Sequence, residues 1–381
     1  MKARSEDLMG EFSRMNTNAL RHNMDAEGLD VLLAISPENF FYIADTLLLS
    51  QQIIPTRLCT AVVPRDGQPE VVVCNCEERQ TREDSWIADI HTYLEFHETP
   101  MHAVAELLKQ RGFGRARIGI EKYFLAAVYA EELAALLPEA TLVGSDQVLD
   151  AARALKTPAE IEILAEAARR TEKAILASFQ AARPGDTEKE MADDLSTRVL
   201  NAGATFLWIT LAVGPNTVIN HPPPGSKQLE KGEILRVDVG GVFQGYQSDV
   251  ASTAVIGAPN EEQRSVYKRL REAQRETIAT ARPGVRACDL YATCKHALEQ
   301  RGLSITSQAV GHGLGIGLHE FPVLHAGEET EIEPGMVLNI EPAAIDSQGF
   351  LYHLEDLFAV TDNEPEILTT VMDTEDLFTI L

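Results

Sequence analysis

Short apolar runs alternate with amphipathic segments along the first 150 residues of the chain. Apolar residues recur at helical spacing over residues 8–27, and Gly28 follows as a candidate C-cap. Further helices are predicted over residues 104–108 and 125–137. Strands are predicted over residues 31–35, 60–63, 71–74, 117–121 and 141–144, with a turn at residues 64–67. This alternation predicts an α/β domain with a largely parallel sheet over residues 1–150.

The second half of the chain has a different pattern. Thr157 and Glu160 form a predicted capping box at a helix start, and Thr187 and Glu190 form another. Strand patterns dominate from residue 206 onward, interrupted by predicted helices over residues 261–281 and 288–301. We therefore expect an α+β domain over residues 151–381.

Charge and composition narrow the range of partners. The chain has 381 residues, a formal net charge of -25 and a pI of about 4.8. Because so acidic a surface repels phosphate backbones, we expect no nucleic-acid partner. No apolar run approaches the roughly 18 residues that span a bilayer, and residues 1–13 are polar, so no membrane partner is expected. The five cysteines are an odd, sparse set, typical of buried thiols in a reducing, cytoplasmic compartment.

Two aspartates occupy a predicted β-hairpin. Apolar residues alternate with polar ones around Asp238, and glycines at 240, 241 and 245 permit a turn and a return strand that contains Asp249. A buried carboxylate is costly unless it is paired or metal-bound, and two neighbouring carboxylates repel each other. A divalent cation would remove both costs. This pair alone leaves open that either Asp caps a turn.

Three further candidate ligands follow in the last third of the chain. His312 lies in a glycine-rich run that also contains His319, and Glu341 and Glu355 each lie in a predicted short apolar strand. A phosphate loop is an alternative for the glycine-rich run, but its Gly-Lys-Ser/Thr ending is missing. Four carboxylates and one imidazole suit Mn²⁺, Co²⁺ or Zn²⁺. Five such donors fit a pair of ions about 3.5–4 Å apart.

The order Asp, Asp, His, Glu, Glu in these motifs resembles the Xaa-Pro peptidases, prolidase and aminopeptidase P, and the related methionine aminopeptidases and creatinases. Residues 35–45 are similar to the start of the family's amino-terminal domain, and residues 155–161 to the entry of its catalytic domain. The resemblance covers essentially the whole chain. It implies a pita-bread catalytic domain with pseudo-twofold symmetry, and a homodimer.

Carried over position by position, the resemblance implies a role for each ligand. Asp238 would chelate one metal ion, and Asp249 and Glu355 would bridge two. His312 and Glu341 would complete the second site, and Glu341 would also shuttle a proton. A hydroxide held between the ions would be the nucleophile. Mn²⁺ is the expected metal, with Co²⁺ or Zn²⁺ as alternatives.

Two other histidines match positions that contact the substrate in this family. His221 follows Gly214-Pro215-Asn216, and His319 precedes Glu320-Phe321-Pro322. For each of them the alternative is an ordinary structural histidine. The chain departs from the family at Ser252 and His353, where most Xaa-Pro peptidases have arginine, the natural bidentate partner of a carboxylate. These two departures affect the expected substrate contacts and leave the metal ligands intact.

The resemblance predicts a dinuclear-metal hydrolase that cleaves an amide bond in a small peptide or small amide, most simply an Xaa-Pro dipeptidase or aminopeptidase. The alternatives are a creatinase-like hydrolase that uses His221 as acid and base without metal, and a metal-dependent lyase acting on a small non-peptide metabolite. A non-catalytic peptide-binding relative is a further alternative, although such relatives generally have degraded ligand sets.

Overall fold

A computed structural model describes residues 15–381 of the chain. It separates into two compact units, one extending up to Arg153 and the other from Ala154 to Leu381. The start of the predicted helix over residues 8–27 lies outside the described residues. Among the described residues, no helix is both long enough and apolar enough to cross a membrane.

The amino-terminal unit alternates helices and strands. Its helices are α1 (Thr17–Ala26), α2 (Pro37–Ala44), α3 (Leu49–Ile53), α4 (Glu78–Asp84), α5 (Pro100–Gln110), α6 (Ala127–Leu136) and α7 (Asp146–Ala154), the last ending at the boundary. Its strands are β1 (Val31–Ala34), β2 (Thr60–Pro64), β3 (Glu70–Cys74), β4 (Ile90–Tyr93), β5 (Arg117–Ile120) and β6 (Thr141–Gly144). All five predicted strands are therefore confirmed, and β4 is an addition that the pattern did not predict.

These strands form one sheet in the order β4-β3-β2-β1-β5-β6. The pairs β1–β2 and β2–β3 are antiparallel and the other three are parallel, so the sheet is mixed. The expectation of a largely parallel sheet is therefore too strong. The link between β2 and β3 is too short for a crossover helix, and a short link of this kind forces an antiparallel hairpin.

The carboxyl-terminal unit contains the longest helices. They are α8 (Pro158–Ala181), α9 (Glu188–Asn201), α10 (Glu261–Ala279) and α11 (Ala287–Gln300). The strands are β7 (Leu207–Val213), β8 (Ile234–Phe243), β9 (Tyr246–Gln247), β10 (Val250–Ile256), β11 (Ala309–Gly313), β12 (Glu320–His325), β13 (Val337–Ile340), β14 (Ala343–Ile345), β15 (Leu351–His353), β16 (Asp356–Ala359), β17 (Glu366–Ile367) and β18 (Phe378–Ile380).

Both predicted capping boxes are present at helix starts in this unit. The Thr157 hydroxyl accepts from the backbone N–H of Glu160, and the Glu160 side chain accepts in return from the N–H of Thr157. Thr187 and Glu190 repeat this exchange at the start of α9. Each box satisfies two N–H groups that the helix leaves without an internal partner, which fixes where the helix begins.

The carboxyl-terminal unit repeats one arrangement, a helix pair followed by a sheet. The pair α8 and α9 shares a core with the sheet β18-β10-β8-β7. The pair α10 and α11 shares a second core with the sheet β12-β11-β13-β16-β17. The two sheets bring the candidate ligands together, because β8 and β10 belong to the first sheet and β11, β13 and β16 to the second.

The cysteines depart in part from the expectation of buried thiols. Cys59, Cys74 and Cys294 are buried, Cys288 is half-buried and Cys76 is exposed. Cys76 is exposed because it lies in the turn after β3, where the buried strand has ended.

Candidate metal centre and substrate site

The first sheet positions both aspartates. Asp238 lies in the middle of β8, which pairs antiparallel with β10 so that Ala251 is opposite Asp238. Asp249 lies immediately before β10. The hairpin predicted from the alternation of residues therefore forms, and it brings the two carboxylates to the same end of the strand pair.

The second sheet positions the other three candidate ligands. His312 is in β11, Glu341 directly follows β13, and Glu355 directly precedes β16. Strand β13 lies between β11 and β16. The two glutamates thus lie at strand ends and not within strands as predicted.

The five side chains converge. Oxygens of Asp238, Asp249 and Glu355 all lie within 4.8 Å of one another. The Nε2 atom of His312 lies 3.6 Å from Oδ2 of Asp249 and 3.5 Å from Oε1 of Glu341. The structure therefore gathers every predicted metal ligand into one cluster, although the sequence separates them by more than a hundred positions.

The electrostatics of this cluster are unfavourable for the protein alone. Burial raises the pKa of Asp249 and of Glu355 well above their ordinary values, and repulsion from neighbouring carboxylates adds to the effect. Burial also raises the pKa of Asp238. Among residues 15–381, the buried atoms Oδ1 of Asp238 and Oε2 of Glu355 have no hydrogen-bond partner. Crowded, buried and unpartnered carboxylate oxygens fit a divalent cation, which would supply the missing positive charge.

His312 is prepared to act as a ligand. Its Nδ1 lies 2.9 Å from the carbonyl oxygen of Gly313, so Nδ1–H donates there and the lone pair of Nε2 faces the carboxylates. Burial lowers the pKa of His312. The ring is therefore held neutral, which is the form of imidazole that binds metal ions.

Asn339 is a site residue that the sequence analysis missed. It is fully buried in β13, and its Oδ1 accepts from the backbone N–H of His312 at 2.7 Å. Its Nδ2 donates to Oε1 of Glu355 and lies 3.1 Å from Nε2 of His312. It therefore links two ligands from different strands. The available signal was a lone amide in an apolar strand, two residues before Glu341.

The glycine-rich run places His319 against His312. Their rings stack with centroids 3.9 Å apart, and His319 is exposed. A Cβ on Gly311 would lie 2.0 Å from the carbonyl oxygen of Asn339, so a side chain there would push β11 away from β13. The carboxylate of Glu320 accepts from Lys156 at 2.9 Å and from the N–H of Gly317 at 2.9 Å. These contacts fix the segment on both sides of His319.

His221 lies in an exposed segment after the 3-10 turn Gly214–Val218. Burial raises the pKa of the Asp238 carboxyl group, and a Coulombic interaction with His221 is among the effects that oppose this rise. His221 therefore interacts electrostatically with Asp238, but its imidazole makes no hydrogen bond or ion pair with a candidate ligand among the described residues.

His353, one of the two departures from the family pattern, belongs to the cluster. Its Nε2 lies 3.3 Å from Oε2 of Glu341 and its Nδ1 lies 3.9 Å from Oδ2 of Asp238. Burial favours a raised pKa for Glu341, but the hydrogen bond and Coulombic interaction with His353, together with Coulombic interactions with His312 and His319, leave that pKa lowered. The other departure, Ser252, directs its hydroxyl to the sulfur of Met372 at 3.7 Å. Only His353 therefore occupies the space beside the carboxylates.

Four carboxylates and one neutral imidazole, with two exposed histidines beside them, define a site for metal-dependent hydrolysis. Comparison with known proteins agrees. Residues 162–362 match the model of Metallopeptidase family M24, and residues 17–155 match the Creatinase/Prolidase N-terminal domain. The chain belongs to the M24 metallopeptidases.

Individual relatives support the same assignment. The Xaa-Pro dipeptidase of Pyrococcus furiosus is 31% identical over 228 residues, which are 59% of this chain and 65% of that protein. The Xaa-Pro dipeptidase of Lactobacillus delbrueckii subsp. lactis is 26% identical over 86% of this chain and 89% of its own. The crystal structure of the prolidase from Pyrococcus horikoshii OT3 superposes with a TM-score of 0.80 at 25% identity, covering 93% of this chain and 98% of that one.

The family and fold predicted from the sequence are thus confirmed. The carboxyl-terminal unit has the pita-bread fold and follows a creatinase-type amino-terminal domain. The chain is a metallopeptidase, a metal-dependent hydrolase of amide bonds.

Proposed function

We propose that this chain is an Xaa-Pro dipeptidase or aminopeptidase that binds two divalent cations. The ligands would be Asp238, Asp249, His312, Glu341 and Glu355, with Asp249 and Glu355 shared between the ions. The donor set favours Mn²⁺, with Co²⁺ or Zn²⁺ as alternatives.

One observation carries the metal assignment. Buried oxygens of Asp238 and Glu355 have no hydrogen-bond partner within residues 15–381, while burial and mutual repulsion raise the pKa values of Asp249 and Glu355. Such an arrangement costs free energy in the metal-free protein, and five donors exceed what one catalytic ion requires. When bound, the metal ions would polarise the substrate carbonyl and make a water molecule acidic.

The side chains around the cluster would act on the substrate and on protons. His353, with smaller contributions from His312 and His319, lowers the pKa of Glu341 against the effect of burial. This carboxylate would therefore stay ionised and accept a proton from the attacking water. His221 and His319 are exposed beside the cluster, where their imidazoles can hydrogen-bond to the reacting amide. Neither histidine is needed to complete the five-ligand set.

The substrate proposal rests on the names of the relatives and on the two departures from the family pattern. Both curated relatives described above are named for Xaa-Pro dipeptides. Ser252 and His353 stand where the family usually has arginine, so charged groups of a dipeptide would be less well paired. We therefore expect weaker hydrolysis of simple Xaa-Pro dipeptides than a prolidase with both arginines achieves.

The same proposal covers the organisation of the protein. The amino-terminal domain would span residues 1–150 and the catalytic domain residues 151–381. A homodimer in the cytoplasm, with a small peptide or small amide as its binding partner, is expected from the family.

The test combines metal loading with a substrate screen. The purified chain is stripped of metal, titrated with Mn²⁺, Co²⁺ or Zn²⁺, and assayed on Xaa-Pro dipeptides, longer Xaa-Pro peptides and other small amides. We expect about two ions per chain at full occupancy and cleavage of an Xaa-Pro bond. The matched control is Glu121→Gln, which alters a buried carboxylate of the amino-terminal unit and should bind metal normally. An absence of bound metal under every loading condition would refute the proposal.

The screen also separates the alternatives. Hydrolysis of a small amide without metal would favour the creatinase-like mechanism. Metal-dependent release of an unsaturated product, with no water added, would show a lyase instead.

A further inference from the structure

The segment that carries His221, residues 214–225 (the His221 loop), is closed at both ends by one buried carboxylate. Oε1 of Glu188 accepts from the N–H of Val213 at 2.9 Å and from Nδ2 of Asn216 at 3.0 Å. Oε2 of Glu188 accepts from the N–H of Gly225 at 3.1 Å. Glu188 is the first residue of α9, where a negative charge is also favoured by the helix dipole. Glu188 therefore fixes where the loop leaves and rejoins the fold.

The middle of the loop is held by a buried arginine. Nη2 of Arg236 donates to the carbonyl oxygens of Ile219 and Asn220 at 2.8 and 2.7 Å. These are the two peptide units immediately before His221. Since Arg236 and Asp238 are two positions apart in β8, they lie on the same face of the strand. The guanidinium thus connects the backbone beside His221 to the strand that carries a metal ligand.

Polar contacts set much of the loop's conformation, because buried apolar packing within residues 214–225 is limited to Pro222. Val218 and Ile219 expose 43% and 52% of their surface, so they contribute little buried area. Thr217 is buried, and its hydroxyl donates to the carbonyl of Gly214 and accepts from the N–H of Leu351. That contact fixes the start of the loop. Just before His221, the N–H of Ile219 donates to the carbonyl of Asn216 at 3.0 Å, and Arg236 adds the contacts to the carbonyls of Ile219 and Asn220.

Arg236 occupies a costly position for a cation. It is 5% exposed, burial lowers its pKa, and its Nε has no hydrogen-bond partner among the described residues. An apolar residue would suit a strand buried on both faces better, so packing does not explain an arginine here. Arg236 is also opposite Thr253 in the β8–β10 register, and the hydroxyl of Thr253 bonds the backbone of His353. It therefore lies beside the two positions, Ser252 and His353, where this chain lacks the family's arginines.

We propose that Arg236 is a positioning residue that holds the backbone beside His221 in one shape, and that His221 acts at the metal cluster in this shape. Glu188 fixes the ends of the loop and Arg236 fixes its centre, so the imidazole is placed before substrate arrives. The inference rests on the proposed function for the role of His221 and goes beyond it by naming what sets the position of that residue. A displacement of about 1 Å in a catalytic group can cost about 100-fold in rate, which is the scale of effect expected.

The test compares Arg236→Gln and Arg236→Lys with the matched control Arg269→Gln. Arg269 also donates to a backbone carbonyl, that of Arg301 at 2.7 Å, but it lies on α10. Three quantities are measured on metal-loaded protein: ions bound per chain, hydrogen exchange of the amides in residues 216–225, and kcat and KM separately. We expect Arg236→Gln to keep both ions, to exchange faster in the loop and to lose about 100-fold in kcat/KM, mainly through kcat.

The lysine variant and the control make the result decisive. Arg236→Lys can keep one of the two bonds, so it should recover part of both the exchange protection and kcat, whereas Arg269→Gln should match wild type. If Arg236→Gln does not fold, Arg236→Lys and Glu188→Gln are compared with Arg269→Gln in the same three measurements. Wild-type kcat in a variant whose loop exchanges faster would overturn the inference, and so would loss of a metal ion, because Arg236 would then act through Asp238. A metal-loaded wild type that cleaves no amide would instead refute the proposed function.

Discussion

Buried carboxylates occur in both units of this molecule, but they differ in their hydrogen bonding and in their distance from other carboxylates. In the amino-terminal unit, Glu121 is 3% exposed, and both of its oxygens accept hydrogen bonds. The donors are the N–H groups of Ile35 and Ser36 and the Nδ2 of Asn39, the last at 2.6 Å. This carboxylate lies apart from other carboxylates, and both of its oxygens are hydrogen-bonded. It therefore connects neighbouring segments of the chain and requires no metal ion.

In the catalytic unit, Asp249 and Glu355 are equally buried but lie within reach of Asp238, and two oxygens of this group lack partners among the described residues. Burial raises the pKa in both units, so a shifted pKa does not by itself distinguish structure from function. The difference lies in crowding and in unmet hydrogen-bonding capacity. A buried acid indicates a metal site when its charge has no other compensation.

The largest effect should come from removing a carboxylate of the crowded cluster. Asp249→Ala should lose both ions, because a shared ligand contacts each, whereas His312→Ala should weaken one ion only. For Asp249→Ala, the loss in metal affinity should exceed the roughly 10–100-fold loss that is typical when a residue hydrogen-bonded to a metal ligand is replaced. Calorimetric titration and elemental analysis measure both variants, and two tightly bound ions in Asp249→Ala would show that it is not shared.

The next effect concerns the two exposed histidines. His221→Ala and His319→Ala should keep both metals but lose about 10²–10³-fold in kcat, which is the range for one hydrogen bond to a reacting amide. Metal content and steady-state rates are measured on the same preparations. Unchanged kinetics with full metal content would remove these residues from the substrate site.

A smaller effect is expected at Asn339, which supports the cluster without joining it. Asn339→Ala removes the donor to Glu355 and the acceptor for the N–H of His312, so metal affinity should fall about 10–100-fold. The folded structure should persist, as judged by circular dichroism. An affinity equal to wild type would mean that the ligands hold their positions without the amide.

Replacing Glu121, whose oxygens are both hydrogen-bonded, should lower stability and leave metal binding unchanged. Glu121→Gln places an amide N–H₂ among donors and should cost about 1–3 kcal/mol in the free energy of unfolding, while metal binding stays normal. Since burial raises the pKa of Glu121 in the folded state, that state binds more protons than the unfolded chain above pH 4.5. The wild-type advantage over the glutamine variant should therefore shrink as pH rises from about 5 toward the raised pKa. Denaturant unfolding at several pH values measures this, and an advantage that grows with pH would contradict it.

The smallest effect is expected for His353→Arg, which introduces the residue that the family usually has. It should raise activity on simple Xaa-Pro dipeptides, or change its pH dependence, because arginine stays charged where histidine titrates. The measurement is kcat/KM against pH for both proteins. A wild type that already hydrolyses dipeptides at a typical prolidase rate, with no change on substitution, would show that this departure has little consequence.

Features that depend on local pattern could be predicted from the amino-acid sequence alone. The capping boxes at Thr157 and Thr187 fixed two helix starts, because both partners lie within four residues of each other. Period-2 alternation located the strand around Asp238. The candidate ligand set was proposed because carboxylates and a histidine in apolar segments are rare enough to need a chemical reason, and it stays a prediction.

Contacts between residues distant in the sequence could be seen in the folded chain and could not be predicted from local pattern. Asn339 contacts ligands from β11 and from the start of β16, and Arg236 reaches carbonyls 16 and 17 residues away along the chain. The mixed pairing in the amino-terminal sheet was likewise decided by how its strands are connected, while the strand pattern was the same for either direction. Periodicity reports which face of an element is buried, but it carries no information on the partner that covers that face. That partner is set by long-range packing, and in this protein long-range packing turns five scattered side chains into one site.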